Sequence, residues 1–231
     1  MFSKRSLKLE RIDTGDYTEE EYRKFLHEIR FINRFLGDSR ALRKTLFREI
    51  SSQDLKEFSV LDVGAGSGEM LTEIAAFARK TSRKANLAGL DLNEISAATI
   101  RDSGLPAVRG DALILPFADN SFDFAICSLF THHLPDDKVV KVLKEMERIS
   151  RRGIFVIDLH RHPAAYRLYQ LFCFVFRISP LVREDGLLSV LRSFKPAELF
   201  DLGKKAVLEC AEVKRVFPFR VVLSSHKMAD R

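Results

Sequence analysis

The chain has no tryptophan and only three cysteines, seven prolines and eleven glycines in 231 residues. Each shortage removes a class of protein. Cys127, Cys173 and Cys210 are odd in number, far apart and set among apolar neighbours. That excludes a disulfide framework or a zinc-held scaffold, so reduced thiols and a cytoplasmic location are expected. No apolar run approaches the roughly 20 residues of a membrane-spanning helix. The start, "MFSKRSLKLE", is basic without an apolar centre, so a secretory signal is not expected. There is no internal repeat and no low-complexity linker. What remains, 46% hydrophobic and 30% charged, is the composition of one well-buried domain.

The net charge of +6 brings nucleic acid, an anionic membrane surface or an acidic substrate into consideration. Its distribution decides more than its size. Residues 160–195 carry Arg161, Arg167, Arg177, Arg183, Arg192 and Lys195 against only Glu184 and Asp185. That segment holds four of the six excess charges, interleaved with apolar side chains. A phosphate-tracking stripe is built differently, so no nucleic-acid partner is expected. Peripheral contact with an anionic membrane surface is an expectation, and the oligomeric state stays open.

Thr18 and Glu21 form a capping-box pattern with Tyr17 and Tyr22 as its apolar staple. Helical spacing of Tyr22, Phe25, Leu26 and Ile29 follows, and a second helix is expected from about Arg40. After Phe58 the pattern alternates. "FSVLDV", "ANLAGLD", "PAVRGD", "FDFAICSL" and "GIFVIDL" read as buried strands separated by helices, which predicts a parallel sheet covered on both faces. "VLECAEVKRV" and "FRVVLSS" predict a closing antiparallel pair. The expected fold is α/β: a Rossmann-like, doubly wound, mostly parallel seven-stranded sheet with a C-terminal antiparallel strand pair, N-terminal helices and a helical insertion after strand 5. One domain covers 1–231: a helical cap over 1–57, a cofactor-binding core over 58–159, a substrate-capping insertion over 160–195, and a final helix and strand pair over 196–231. Lys195 stands where Ser or Thr would normally cap the helix that begins at Pro196.

Three glycines in five positions, Gly64, Gly66 and Gly68, follow the first strand, with Asp62 just ahead. Such a turn lets main chain approach a ligand without side-chain interference. The dinucleotide spacing G-x-G-x-x-G fails, because Glu69 holds the place of its third glycine. Asp62 would also repel a pyrophosphate and suits a cationic or amine-bearing ligand. The run D-x-G-x-G-x-G resembles the first motif of class I S-adenosylmethionine-dependent methyltransferases, a resemblance that extends over at least residues 58–160. The resemblance implies S-adenosylmethionine as cofactor, held by Asp62, Gly64, Ala65, Gly66 and Gly68. It places Asp91 and Leu92 at the ribose, Asp111 and Ala112 at the adenine, and Cys127 in the fourth motif, whose strand end lies beside the transferred methyl. "FINRFLGDSR" implies that Asn33 and Arg34 close over the cofactor.

Methyl transfer leaves the protein to align the acceptor and manage a proton. A phenol has a pKa near ~10, so O-methylation at neutral pH gains from a nearby base. Thr131-His132-His133 follows the fourth strand, and His160 and His162 follow the fifth. His133, His132 and His160 are the catalytic candidates, with His133 preferred; His132 or His133 is read equally as a pocket-shaping hydrogen-bond partner. No helical H-E-x-x-H or carboxylate cluster supports a metal, and none is expected. The insertion, rich in Leu168, Leu171, Phe172, Phe174, Val175, Phe176 and Ile178, is apolar almost all round, so a buried roof over an apolar acceptor is expected. Arg161, Arg167, Arg177 and Arg183 would meet a carboxylate or phenolate.

In wider outline the chain is similar to methyltransferases of aromatic or polyketide-derived metabolites and of ubiquinone and menaquinone pathways. Methyl transfer to oxygen or activated carbon of such an apolar small-molecule acceptor is therefore expected. An RNA or protein methyltransferase, and a non-catalytic cofactor-binding assembly subunit, are the alternatives.

Overall fold

The computed structural model describes residues 2–33 and 37–227. Four short helices precede the sheet: α1 (Arg11–Thr14), α2 (Glu19–Asn33), α3 (Asp38–Lys44) and α4 (Leu46–Ser52). The capping box starts α2 as its sequence requires. The Thr18 hydroxyl accepts from the Glu21 amide at 3.1 Å, the Glu21 carboxylate accepts from the Thr18 amide at 2.8 Å, and Tyr17 stacks on Tyr22. The helix expected from Arg40 is instead two, because the backbone leaves helical geometry at Thr45, where its hydroxyl bonds back to the Ala41 carbonyl.

Strands and helices then alternate: β1 (Glu57–Val63), α5 (Glu69–Lys80), β2 (Lys84–Asp91), α6 (Glu94–Asp102), β3 (Ala107–Arg109), β4 (Phe122–Ser128), α7 (Asp136–Ile149) and β5 (Ser150–Leu159). Two helices, α8 (Pro163–Val175) and α9 (Pro180–Arg192), form the insertion; α10 (Pro196–Lys205), β6 (Glu212–Val216) and β7 (Arg220–His226) finish the fold. The sheet order is β3-β2-β1-β4-β5-β7-β6, parallel through β5, with β7 antiparallel to both its neighbours. The mixed seven-stranded sheet is the one expected from the apolar runs. Lys195 does not weaken the start of α10, since Glu198 accepts its main-chain N–H at 2.8 Å and serves as the cap.

Alternation along each strand divides the core in two. Leu61, Val63, Ala125, Cys127, Ile154 and Val156 face α7 and α10. Val60, Phe124, Ile126, Phe155 and Ile157 face α3, α4 and α5. Buried apolar strands between two helical layers make the sheet a rigid platform, and its strand ends carry the site. A third, smaller cluster joins α2, α8 and α9 through Ile32, Tyr169, Cys173 and Val182. The insertion is thereby fixed as a roof rather than left as a loop. Among the described residues, no helix is long and apolar enough to cross a membrane.

Candidate functional site

Strand order reverses between β1 and β4, and the crevice beyond their carboxyl ends is where a doubly wound sheet binds ligands. Gly64, Gly66 and Gly68 all adopt positive φ there, at 70°, 55° and 81°. The turn is tied to β2: the Gly64 and Ala65 amides donate to the Leu90 carbonyl at 2.8 and 3.0 Å, and the Gly66 amide donates to Asp91 at 2.9 Å. A Cβ on Gly64 would lie 2.6 Å from the Phe130 ring, whereas one on Gly66 would meet open space. The bare main chain of Gly66 therefore faces the crevice.

Two buried polar groups at this end have no hydrogen-bond partner among the described residues. Both carboxylate oxygens of Asp62, and the Ser128 hydroxyl at the end of β4, make no hydrogen bond. Burial, then the charges of Glu69 and Asp91, pushes the Asp62 carboxyl well above the ordinary carboxylate range. A buried carboxyl without a donor is costly unless a ligand supplies one. The Asp91 carboxyl, also raised by burial against two main-chain hydrogen bonds, keeps acceptor capacity beside the turn. The donor set thus fits an ammonium at Asp62 and paired hydroxyls at Asp91.

A cavity of about 260 Å³, near the lower end of the range for small-molecule pockets, runs from Asp62, Gly64, Ala65, Gly66 and Asp91 to a second polar wall at Glu10, His132 and His133. Between them lie Tyr22, Phe25, Ile29, Met70, Phe130 and Tyr169. The 3-10 turn Thr131–His133 is locked by the fully buried Asp158 at the end of β5. Asp158 accepts from the Thr131 hydroxyl at 2.6 Å and the His132 amide at 3.1 Å, and contacts His132 Nδ1 at 2.7 Å. Burial alone would raise its pKa, but the His132 charge and these hydrogen bonds hold it down to about 2. His132 is thereby fixed with Nε2 toward Glu10, 3.9 Å from Oε1. His133 Nδ1 lies 2.7 Å from Asp13 and 3.8 Å from Glu10.

Glu10 is a wall residue that no sequence pattern singles out. It stands in a polar stretch far from every motif, yet it is buried at the cavity wall. Ser189 donates to its Oε2 at 2.9 Å, while its Oε1 has no hydrogen-bond partner among the described residues. Burial raises its pKa to about 7. The segment is pinned there because Asp185 of α9 accepts the Arg11 and Ile12 amides at 2.9 and 3.0 Å, and Arg192 approaches Glu10 Oε1 at 3.5 Å. Glu10, His132 and His133 also place one ligating atom each within 4.8 Å of one another, a metal-capable set that the sequence did not foresee. The Arg192 guanidinium already supplies positive charge beside it.

Several expected site residues lie elsewhere. His160 is outside the cavity walls. After β5 the chain is drawn between Phe219 and Phe194 by main-chain hydrogen bonds, which turns the His160 ring toward His162. His162 accepts the Ala164 amide and caps α8. Cys127 points into the core under α7, where burial pushes its thiol pKa up; strand alternation gives the cavity Ser128 instead. Gly68, Leu92, Asp111 and Ala112 do not line the cavity: Gly68 caps α5, Leu92 is exposed, Asp111 accepts the Leu113 amide, and Ala112 packs in the core. Asn33 lines the cavity; Arg34 lies outside the described residues. Arg161, Arg167, Arg177 and Arg183 do not line the cavity. Arg161 is buried against Glu198, and the arginine that does line the cavity is Arg220, in a bidentate pair with Asp38 at 2.5 and 3.1 Å.

A switch-point crevice with a glycine turn, an orphaned acid and an acid at the second strand end defines an α/β domain for an amine- and hydroxyl-bearing ligand. Residues 61–157 match the family described as methyltransferase domain. The chain carries a class I S-adenosylmethionine-dependent methyltransferase domain, and S-adenosylmethionine is the cofactor of that class. A demethylmenaquinone methyltransferase of Geobacillus stearothermophilus is 32% identical over 148 residues, covering 60% of this chain and 60% of the relative. The match thus spans less than two thirds of that relative's length. An S-adenosylmethionine-dependent methyltransferase from Aquifex aeolicus shares the fold at a TM-score of 0.57 and 17% identity, covering 91% of this chain and 99% of that one. Human N-acetylserotonin methyltransferase, solved with S-adenosylmethionine, shares it at a TM-score of 0.63 and 16% identity, covering 92% of this chain and 57% of that one.

Proposed function

We propose that this protein transfers a methyl group from S-adenosylmethionine to oxygen, or to an activated ring carbon, of an apolar quinone-like or other aromatic small molecule. The observation that carries the reading is the single cavity joining the orphaned Asp62 to the Glu10–His132–His133 wall across apolar side chains. The demethylmenaquinone methyltransferase relative supports the quinone-like choice of acceptor. When bound, S-adenosylmethionine supplies an electrophilic methyl group on a cationic sulfur. Asp62 takes the ammonium, Asp91 the ribose hydroxyls, and the Gly66 main chain lets the ligand lie close.

At the opposite wall, the Oε1 of Glu10 is the acceptor for the hydroxyl proton of the methyl acceptor. Its pKa of about 7 matches a base that works near neutrality. His132, held by Asp158, faces the same oxygen and stabilises the charge that develops there. His133, tied to Asp13, closes the wall. The apolar middle excludes water and seats the ring.

The test is incubation with methyl-labelled S-adenosylmethionine and a panel of demethylmenaquinol, simple phenols, RNA and protein, with products read by mass spectrometry. Label on a quinol or phenol is the expected result. Label only on RNA or protein, or none on any acceptor, refutes the reading.

A further inference from the structure

The insertion does not bury what its sequence leads one to expect. Only Ala165, Tyr169 and Cys173 of α8 are buried. Leu168, Leu171, Phe174 and Val175, with Phe176 at its end, are between 49% and 80% exposed. They form the densest group of exposed large apolar side chains among the described residues, and helical spacing gathers them on the outer side of one helix. A soluble surface scatters such residues singly; a gathered set marks a contact face.

The segment that carries this face has charges of one sign, while Glu28 of α2 accepts from the Ser179 hydroxyl beyond its end at 2.6 Å. From His160 to Arg183 the sequence contains no acid. Arg167 lies within α8, Arg177 just beyond its end and Arg183 early in α9, all exposed. Among the described residues neither Arg167 nor Arg177 is ion-paired, and Arg183 meets only its neighbour Glu184 at 3.7 Å. Arg177 adopts φ of 50° at a helix end where glycine is the usual choice, so a long cation stands where the backbone would favour no side chain. Across a two-fold contact between copies, these arginines would face one another, which disfavours self-association through this face. An apolar stripe edged by unpaired arginines instead matches the acyl boundary and headgroups of an anionic bilayer. With 13 residues, α8 is too short to span a bilayer and suits a helix lying in its surface.

We propose that the outer face of α8 docks on an anionic lipid surface, with Leu171 and Phe174 inserted among acyl chains and Arg167 and Arg177 at the headgroups. The inner face of the same helix contributes Tyr169 to the cavity wall, and its roof is shared with α2 through Phe25 and Ile29. A lipid-dissolved acceptor therefore reaches the site beneath a roof that itself rests on the membrane. This deepens the acceptor assignment and rests on it only for the cargo; lipid binding is measured without any acceptor, so the two fail separately.

The experiment is cosedimentation of the full chain with phosphatidylglycerol vesicles and with phosphatidylcholine vesicles, alongside its self-association by analytical ultracentrifugation. Binding to phosphatidylglycerol is expected to exceed that to phosphatidylcholine by about tenfold or more and to weaken with salt. The Arg167→Gln/Arg177→Gln variant should lose about tenfold of that binding. The Leu171→Gln/Phe174→Gln variant should lose binding to a similar extent. Both pairs are exposed, and an unchanged rise in melting temperature with S-adenosylmethionine shows that the variants are folded. Absent binding, equal binding to both lipids, or variants that bind like the parent chain overturn the proposal. So does a dimer that the Leu171→Gln/Phe174→Gln change dissolves while vesicles are not bound, which would assign the face to a second copy. Vesicle binding by a chain that methylates no quinol or phenol would instead retain the docking face and discard the acceptor.

Discussion

Among the described residues, Asp62 and Ser128 at one end of the cavity keep buried oxygens without a hydrogen-bond partner; at the opposite wall, Asp13 and Asp158 are each held by a histidine, and Glu10 Oε1, 3.5 Å from Arg192, accepts no hydrogen bond. The first arrangement stores a need that a cationic, hydroxyl-bearing ligand meets. The second is a network of charged and imidazole groups around one buried carboxylate oxygen that accepts no hydrogen bond. Titration separates Asp158 from Asp62, while Glu10 shares the sign of Asp62. Asp62 and Glu10 are raised by burial, so their neutral forms favour the fold at low pH and that contribution is lost as pH rises, for Glu10 through about 7. Asp158 is depressed to about 2, so its contribution is present above the ordinary carboxylate range and is lost as pH falls toward 2. One end thus takes its charge from a ligand, whereas the other is charged by its own neighbours.

The contrast is broken most severely at Glu10. Replacing it with Gln should lower turnover by about 10²–10⁴-fold, abolish an acidic limb near pH 7 in the rate profile, and leave cofactor affinity unchanged. A parent-like rate profile would remove Glu10 from the chemistry. Asp62→Asn should weaken S-adenosylmethionine by about a hundredfold in calorimetry while raising the melting temperature of the free protein by roughly 2–4 °C, because the orphaned acid is gone. A fall in both would mean that Asp62 serves the fold instead. Gly186→Ala sharpens the role of the roof: its Cβ would stand 2.2 Å from the Tyr169 hydroxyl, so a loss of about 1–3 kcal/mol is expected in denaturant melts. His133→Ala, at the partly exposed end of the wall, should cost about tenfold in turnover, less than His132→Ala. Smallest of all, a chelator should leave turnover unchanged, since Arg192 already places a cation beside Glu10; lost turnover restored by a divalent metal would reassign the Glu10–His132–His133 set.

The Asp62 end of the cavity was legible as a place in the fold because its pattern is local. Asp62, the glycine turn and Asp91 sit where strands end, and in both β1 and β2 burial deepens toward those ends. The opposite wall was half legible. His132 and His133 follow β4 directly, but the preference for His133 missed that Asp158 reaches back from β5 to fix His132. His160 misled because its position after β5 was read without the hydrogen bonds to Phe219 and Phe194 that turn it away. Cys127 misled by one residue, the interval at which a strand changes faces. Glu10 carried no local signal at all; its burial comes from contacts with α9 across most of the chain.

The sequence by itself determined the alternation of strands and helices, the bare turn and the acid ahead of it, because apolar period, glycine φ and strand-end position are properties of neighbouring residues. Tertiary structure alone decided that Glu10 lines the cavity, that Asp158 orients His132, and that the apolar face of α8 points outward. Those outcomes depend on which distant segments share a strand end or a roof, and a carboxyl becomes a base, or a helix face a contact surface, only through what the fold places beside it.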